Sequence, residues 1–173
     1  MTSGEGGFVV TNNKKLRDKL LMIRNHGMIN GYDTRIFGLN LRLPEINAAI
    51  ATIQIKKLPN FLKSRKNNAE LLSKLISDLK IKLPHQRKNE NVNWYLYTIA
   101  TKNRDKLLKK LNKKGIGAAS YYPTPVHKTP FYKLKTKLPI TVWAASHVVS
   151  LPIHPKVTQK NIEFIAKTMR DIL

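Results

Sequence analysis

The sequence predicts an α/β fold, on three observations. Apolar residues recur at helical spacing in several stretches, and short β-branched and aromatic runs alternate with helices in the second half. The chain has 173 residues, of which 42% are hydrophobic, enough to supply a core without staples. That length fits one domain or a domain with an appendage, and the composition rejects disorder as a default.

Phe8-Val9-Val10 is a short strand candidate, preceded by Gly4, Gly6 and Gly7, which permit a turn closed to other residues. Asn12 or Asn13 then caps a helix with Leu16, Leu20, Leu21 and Ile23 as its apolar positions, ending at Gly27. Met28 to Leu43 has no clear period and holds Gly31 and Gly38, so it reads as a loop; one this long in a compact protein is usually functional. Pro44 suits a first helical turn, and Ile46, Ala49, Ile50 and Ile53 form one apolar face. Pro59 is expected to kink or restart that helix. The pattern resumes through Phe61, Leu62, Arg65, Ala69, Leu72, Leu75, Ile76 and Leu79, and Leu83-Pro84 ends it.

Beyond the polar stretch His85 to Asn93, a strand is expected over Trp94 to Ala100, a helix over Arg104 to Lys114 closed by Gly115, and a strand over Ile116 to Tyr122. Thr158 is placed to cap the last helix, with Val157 and Ile162 as a hydrophobic staple and Ile162, Ile165, Met169 and Ile172 on one face.

The charge is strongly positive: 32 Lys and Arg against 10 Asp and Glu, a formal net charge of +22. Nucleic acid is the first partner such a balance suggests, because phosphate neutralisation supplies most non-specific affinity. The distribution argues against it. Basic residues fall in small clusters along the whole chain, joined to no helix-turn-helix, zinc-finger or RNA-binding signature. Lys106, Lys109, Lys110, Lys113 and Lys114 lie opposite Leu107, Leu108 and Leu111, as a solvated helix face does. The absence of cysteine excludes thiol nucleophiles, disulfides and cysteine zinc sites. No apolar run approaches the roughly 20 residues of a spanning helix, and the N-terminal residues lack a signal-peptide pattern, so the protein reads as soluble and cytoplasmic with no membrane partner.

Among residues with chemistry, the five histidines have no ligand-like spacing apart from His147 and His154, and no metal site is assigned. No carboxylate pair reads as an acid/base dyad, and Glu45 complements the N-terminus of its helix. Asn40 and Arg42 lie on the long loop. Tyr122 and His127 flank Pro123 and Pro125, a stiff path that fixes the separation of a phenol and an imidazole. His26 beside Gly27 is equally well explained as favourable charge at a helix C-terminus. Read bare, Asn40, Arg42 and His127 are solvated surface groups and Tyr122 caps a small core.

Several blocks occur in one order: Thr2-Ser3-Gly4-Glu5-Gly6-Gly7-Phe8-Val9-Val10-Thr11-Asn12, Arg24-Asn25-His26-Gly27, and Gly38-Leu39-Asn40-Leu41-Arg42-Leu43-Pro44-Glu45-Ile46-Asn47-Ala48-Ala49-Ile50. Gln54, Leu58 and Arg65 follow, then Gly115-Ile116, Tyr121-Tyr122-Pro123-Thr124-Pro125-Val126-His127 and Ser150-Leu151-Pro152-Ile153-His154-Pro155. In this order they resemble the DegT/DnrJ/StrS-type nucleotide-sugar aminotransferases, pyridoxal-phosphate (PLP) enzymes of fold type I. The resemblance covers essentially the whole chain but only the family's C-terminal half.

The resemblance implies a C-terminal part of a fold type I transferase. Residues 1–58 would be a remnant of the PLP-binding large domain with its edge strand and helices, 59–84 a long bent connecting helix, and 85–173 a small α/β domain. Asn40 and Arg42 would reach the PLP phosphate of the neighbouring subunit, roles suited to an amide and a cationic donor. Tyr122 and His127, with His26 and Tyr32 as further candidates, would lie on the sugar-nucleotide side. In the family the lysine that carries PLP sits just before the TSGEGG-like motif, where this sequence has Met1. The expectation is therefore a chain with no assigned catalytic residue, inactive alone, whose full-length or complemented form moves an amino group from glutamate to a keto nucleotide sugar in polysaccharide or cell-surface sugar biosynthesis. An internal start codon, a truncated gene and a split gene are equally consistent with it. Its partner would be a second copy or a separately encoded N-terminal half. The competing readings are a partner-binding fragment without catalysis and a basic nucleic-acid-binding protein.

Overall fold

In the computed structural model, which describes residues 1–173, Asn13 opens the first helix by accepting the Leu16 N–H on its side-chain oxygen at 3.1 Å. Helix α1 runs Lys14–Ile23, capped at Arg24, so it stops short of Gly27. The second helix, α2, runs unbroken over Glu45–Leu75 with Pro59 inside it. The expected restart at Pro59 does not occur. Proline removes a single N–H donor, and the helix bonds on either side carry the chain past the gap. The helix also ends earlier than the apolar pattern does: residues 76–84 turn and bend, and Lys82 makes an isolated antiparallel bridge to Ala100.

Two compact units divide the chain, Met1–Pro59 and Asn60–Leu173. In the first, Gly27 alone is buried. The expected strand at Phe8-Val9-Val10 is not formed, because no segment pairs with it, and its side chains are exposed.

The second unit holds the core. Strand β1 (Tyr97–Ala100) pairs antiparallel with β2 (Val148–Leu151), in the register Tyr97 opposite Leu151 and Ile99 opposite Val149. Tyr97, Ile99, Val149 and Leu151 are buried, and they pack with Leu72 and Ile76, with Leu107 and Leu111 of α3 (Arg104–Lys113), and with Ile162 and Met169 of α5 (Gln159–Ile172). The Tyr97 hydroxyl meets Ser73 Oγ at 2.7 Å. Burial raises the Tyr97 pKa, and the Ser73 hydrogen bond partly opposes that.

The predicted strands are shorter than expected. Trp94 adopts φ +50°, outside the extended region, so β1 begins only at Tyr97. Of residues 116–122 only Ala119 bridges, exchanging both backbone hydrogen bonds with Ser150 at 3.1 and 2.7 Å. The helix α4 (Pro139–His147) and β2 were not anticipated; α4 starts on a proline in its first turn and passes directly into the strand.

The caps of α3 and α5 match the sequence reading. Gly115 follows α3 at φ +81°. Thr158 Oγ1 accepts the Asn161 N–H at 3.3 Å, and Asn161 Oδ1 accepts the Thr158 N–H at 3.0 Å, a reciprocal capping box. Thr158→Ala is expected to lower stability by about 1 kcal/mol, read as a lower urea midpoint at unchanged slope.

Arg170 ties the end of α5 to the turn after α2, its two Nη groups reaching the Asp78 carboxylate at 2.5 and 2.8 Å and the Leu75 carbonyl at 2.5 Å. The Arg170 hydrogen bond holds the Asp78 pKa below its ordinary value. A lowered folded-state pKa means the contribution is complete above the unfolded carboxylate's pKa and is lost as pH falls through the folded-state value. Urea midpoints compared between about pH 7 and about pH 3 should therefore fall less for Asp78→Asn than for the parent chain; equal falls would show the pair contributes nothing.

Candidate functional site

The end of α1 builds the first cluster. His26 and Gly27 adopt φ +56° and +73°, and the Gly27 N–H reaches back to the Met22 carbonyl at 2.8 Å. The chain then leaves and returns, so that residues 24–26 lie beside 39–41. Leu39 N–H donates to Ile23 at 2.8 Å, His26 N–H to Leu39 at 3.1 Å and Leu41 N–H to Arg24 at 2.9 Å, and Asn25 bridges Asn40. At the neck of this loop two glycine backbones touch. A Cβ on Gly27 would overlap the Ile36 carbonyl, and one on Gly38 would overlap the Gly27 amide.

This pairing sets three predicted residues together. Arg42 Nε donates to Asn40 Oδ1 at 3.0 Å, and Arg42 Nη2 lies 3.3 Å from His26 Nε2. A guanidinium only donates, so Nε2 accepts and the ring proton resides on Nδ1. The Asn40 Nδ2 and Arg42 Nη1 donors remain uncommitted, an amide and a cation exposed side by side, a set suited to an anion with several oxygens. Beside them is a depression of ≈ 630 Å³ lined in part by Arg24, Asn25, Met22 and Arg42. Tyr32 stands apart at the tip of the loop, 95% exposed, where Arg35 pairs with Asp33 at 2.8 Å.

The glycine turn is fastened to the first turn of α2. Asn47 Nδ2 donates to the Glu5 carbonyl at 3.0 Å, and Gly4 has φ +81°. Sequence reasoning gave Asn47 no role, although an amide among Ile46, Ala49 and Ile50 was a visible signal.

Tyr122 and His127 belong to the second unit. Tyr122, at φ +59°, is 78% exposed and does not cap the core. His127 sits in a one-turn 3₁₀ helix, Val126–Lys128, and is buried rather than solvated, with its Nε2 unpartnered. Arg65, to which the sequence assigns no role, donates from Nη1 to the Trp94 and Tyr95 carbonyls, both at 3.0 Å, and so clamps the left-handed Trp94. The buried Arg104 donates to Ser120 Oγ and to the Val148 carbonyl at 3.4 Å, anchoring the segment that leads into Tyr121-Tyr122. His154 Nδ1 accepts the Lys156 N–H at 3.2 Å within its own turn.

Comparison with known proteins agrees with this architecture. The model of the DegT/DnrJ/EryC1/StrS aminotransferase family matches residues 1–170, and the chain belongs to that family. It is 34% identical to the dTDP-3-amino-3,4,6-trideoxy-alpha-D-glucose transaminase of Streptomyces venezuelae, over 97% of this chain and 46% of that enzyme. It is 31% identical to the UDP-N-acetyl-3-dehydro-alpha-D-glucosamine 3-aminotransferase of Acidithiobacillus ferrooxidans, over 99% of this chain and 47% of that one. The crystal structure of S. venezuelae DesV superposes with a TM-score of 0.90 at 30% identity, over 94% of this chain and 45% of that one. The chain thus spans about half the length of the relatives it matches, and its fold is the C-terminal part of a fold type I PLP-dependent aminotransferase.

The family's cofactor can be tested against the residues present. PLP carries a phosphate dianion, and the uncommitted Asn40 amide and Arg42 guanidinium fit that group. Gly38→Ala should open the neck and speed amide hydrogen exchange at Leu39 and Leu41, while Arg42→Ala leaves both amides protected; equal protection in the two variants would mean the glycine contact does not hold the cluster.

Proposed function

We propose that these residues form the C-terminal portion of a PLP-dependent aminotransferase that acts on a keto nucleotide sugar, in polysaccharide or cell-surface sugar biosynthesis in the cytoplasm, with glutamate as amino donor. The observation that carries the reading is the Asn40–Arg42 pair, held by backbone pairing and still offering unused donors. The names of the relatives, which include a dTDP-sugar and a UDP-sugar enzyme, support the substrate class.

In this reading PLP supplies the electron sink for amino transfer. Arg42 and Asn40 bind its phosphate, and His26 Nε2, by accepting from Arg42, fixes the plane of the guanidinium. The Asn47 bond keeps the glycine turn against the start of α2. In the second unit the exposed Tyr122 phenol and the buried His127 Nε2, which has no partner within the chain, are assigned to the sugar nucleotide; in the first unit His26 and Tyr32 are separate candidates for contact with it. The 173 residues do not transaminate by themselves; they work in a homodimer of the longer enzyme or with a separately encoded N-terminal half. Residues exposed on the first unit, among them Phe8, Val9, Ile46 and Ile50, support such a partner.

The test mixes the chain with PLP, glutamate and a dTDP- or UDP-keto sugar, with and without the separately expressed N-terminal half of a relative, and follows 2-oxoglutarate. Turnover is expected only in the complemented mixture, and Arg42→Ala should raise the PLP concentration needed by at least about tenfold, the loss of one charge-assisted phosphate contact. An inactive complemented mixture overturns the assignment. Borohydride fixation of PLP to one defined lysine of the chain alone overturns its inactivity.

A further inference from the structure

Between Asp105 and Glu163 the sequence holds no Asp, no Glu and no Arg; every permanent cation there is a lysine. Four of them, Lys128, Lys133, Lys135 and Lys137, fall in one segment with Phe131, Tyr132, Leu134 and Leu138, and none of the four is in an ion pair. Residues 130–141 are exposed without exception, Phe131 at 87% and Ile140 at 82%. The segment is nonetheless shaped: Lys133 N–H donates to Thr129 at 3.0 Å, Leu134 N–H to the His127 carbonyl at 2.8 Å, and Phe131 meets Tyr132 edge to face at 5.0 Å. On α4, Ile140 and Trp143 are three residues apart, hence on one face. The Trp143 ring stacks on His147 at 4.7 Å and has Lys82 Nζ 5.9 Å from its centre.

Exposed aromatic and aliphatic side chains alternating with unpaired lysines are what an anionic lipid interface attracts. The rings and branched chains enter the headgroup boundary, and the lysine stems lie along the apolar layer with their ammonium groups among the phosphates. Nucleic acid fits less well. Lysine lacks the planar fork that reads a guanine edge, and Leu134, Leu138 and Ile140 offer no plane on which a base could stack. We propose that residues 128–143 form a peripheral docking surface for membranes rich in acidic phospholipid. No helix of the chain is long and apolar enough to cross a membrane, so the contact is one of lying on the surface.

The two tryptophans give a selective readout: Trp94 is buried and Trp143 lies in the segment at 44% exposure. The intact chain is titrated with vesicles of phosphatidylserine and phosphatidylcholine, with phosphatidylcholine alone, and with poly(U), following tryptophan emission and quenching by brominated acyl chains. Expected are a blue shift and quenching with the acidic vesicles only, reversed near 1 M salt, where screening shortens to about 3 Å. Lys133→Gln, Lys135→Gln and Lys137→Gln together should weaken binding about a hundredfold, from roughly fivefold per lysine at an anionic surface. Trp143→Phe should abolish the shift while the chain still co-sediments with the vesicles. Circular dichroism of each variant separates lost binding from lost fold. The inference is overturned by no shift with acidic vesicles, by equal binding to neutral ones, by a shift with poly(U) alone, by self-association that produces the shift without lipid, or by a folded triple variant that binds as the parent does.

Discussion

The contact on which the candidate site depends is the meeting of two bare backbones, Gly27 and Gly38. Each lies where a Cβ would overlap main-chain atoms of the other strand of the loop, so side chains at either position would push the strands apart. With the neck closed, Leu39 and Leu41 pair with the end of α1, and only then do Asn40 and Arg42 emerge beside His26. A guanidinium held by an amide oxygen on one side and an imidazole nitrogen on the other has lost much of its rotational freedom before any anion arrives, which is how a surface arginine becomes a binding group.

The two units are built on different principles. Residues 60–173 close a conventional core, in which the β1–β2 pair presents Tyr97, Ile99, Val149 and Leu151 to α3, α5 and the second half of α2. Several polar groups at that core are matched, Tyr97 with Ser73, Thr98 with Ser150 at 2.8 Å, and the Arg65 guanidinium with two successive carbonyls, whereas the buried Trp94 Nε1 and His127 Nε2 have no partner. Residues 1–59 fully bury only a glycine and leave many of their large apolar side chains exposed. Their order comes from backbone pairing and caps, which fix a loop without needing an interior.

Much of this was legible locally. Caps announce themselves through residues whose partners lie three positions away, so Thr158 was legible and the first cap was narrowed to Asn12 or Asn13, of which Asn13 caps; the amphipathic split of Lys106 and Lys109 from Leu107 and Leu111 gave α3 its buried face. Strands were read poorly because a strand is defined by its neighbour. Phe8-Val9-Val10 has the right composition and no partner, whereas Val148–Leu151 had drawn no attention and lies at the centre of the sheet. Of the two outcomes expected at Pro59, a kink or a restart, the restart is absent, because the helical turns on either side hold the chain past one missing donor.

The sequence alone determined the family, because ordered blocks of glycine, asparagine, arginine and proline need no coordinates to be compared, and it determined the chemical types placed at positions 26, 40, 42, 122 and 127. Only the tertiary structure decided which of those groups meet. His26 and Arg42 are sixteen positions apart and become neighbours through the glycine neck, while Tyr32, only six from His26, is carried to the exposed loop tip. His127, read bare as a solvated group, is buried in a turn where the Leu134 N–H donates to its carbonyl. Residue type is a property of each position, but contact and burial depend on where distant backbone returns, and that is fixed by packing rather than by any local run of residues.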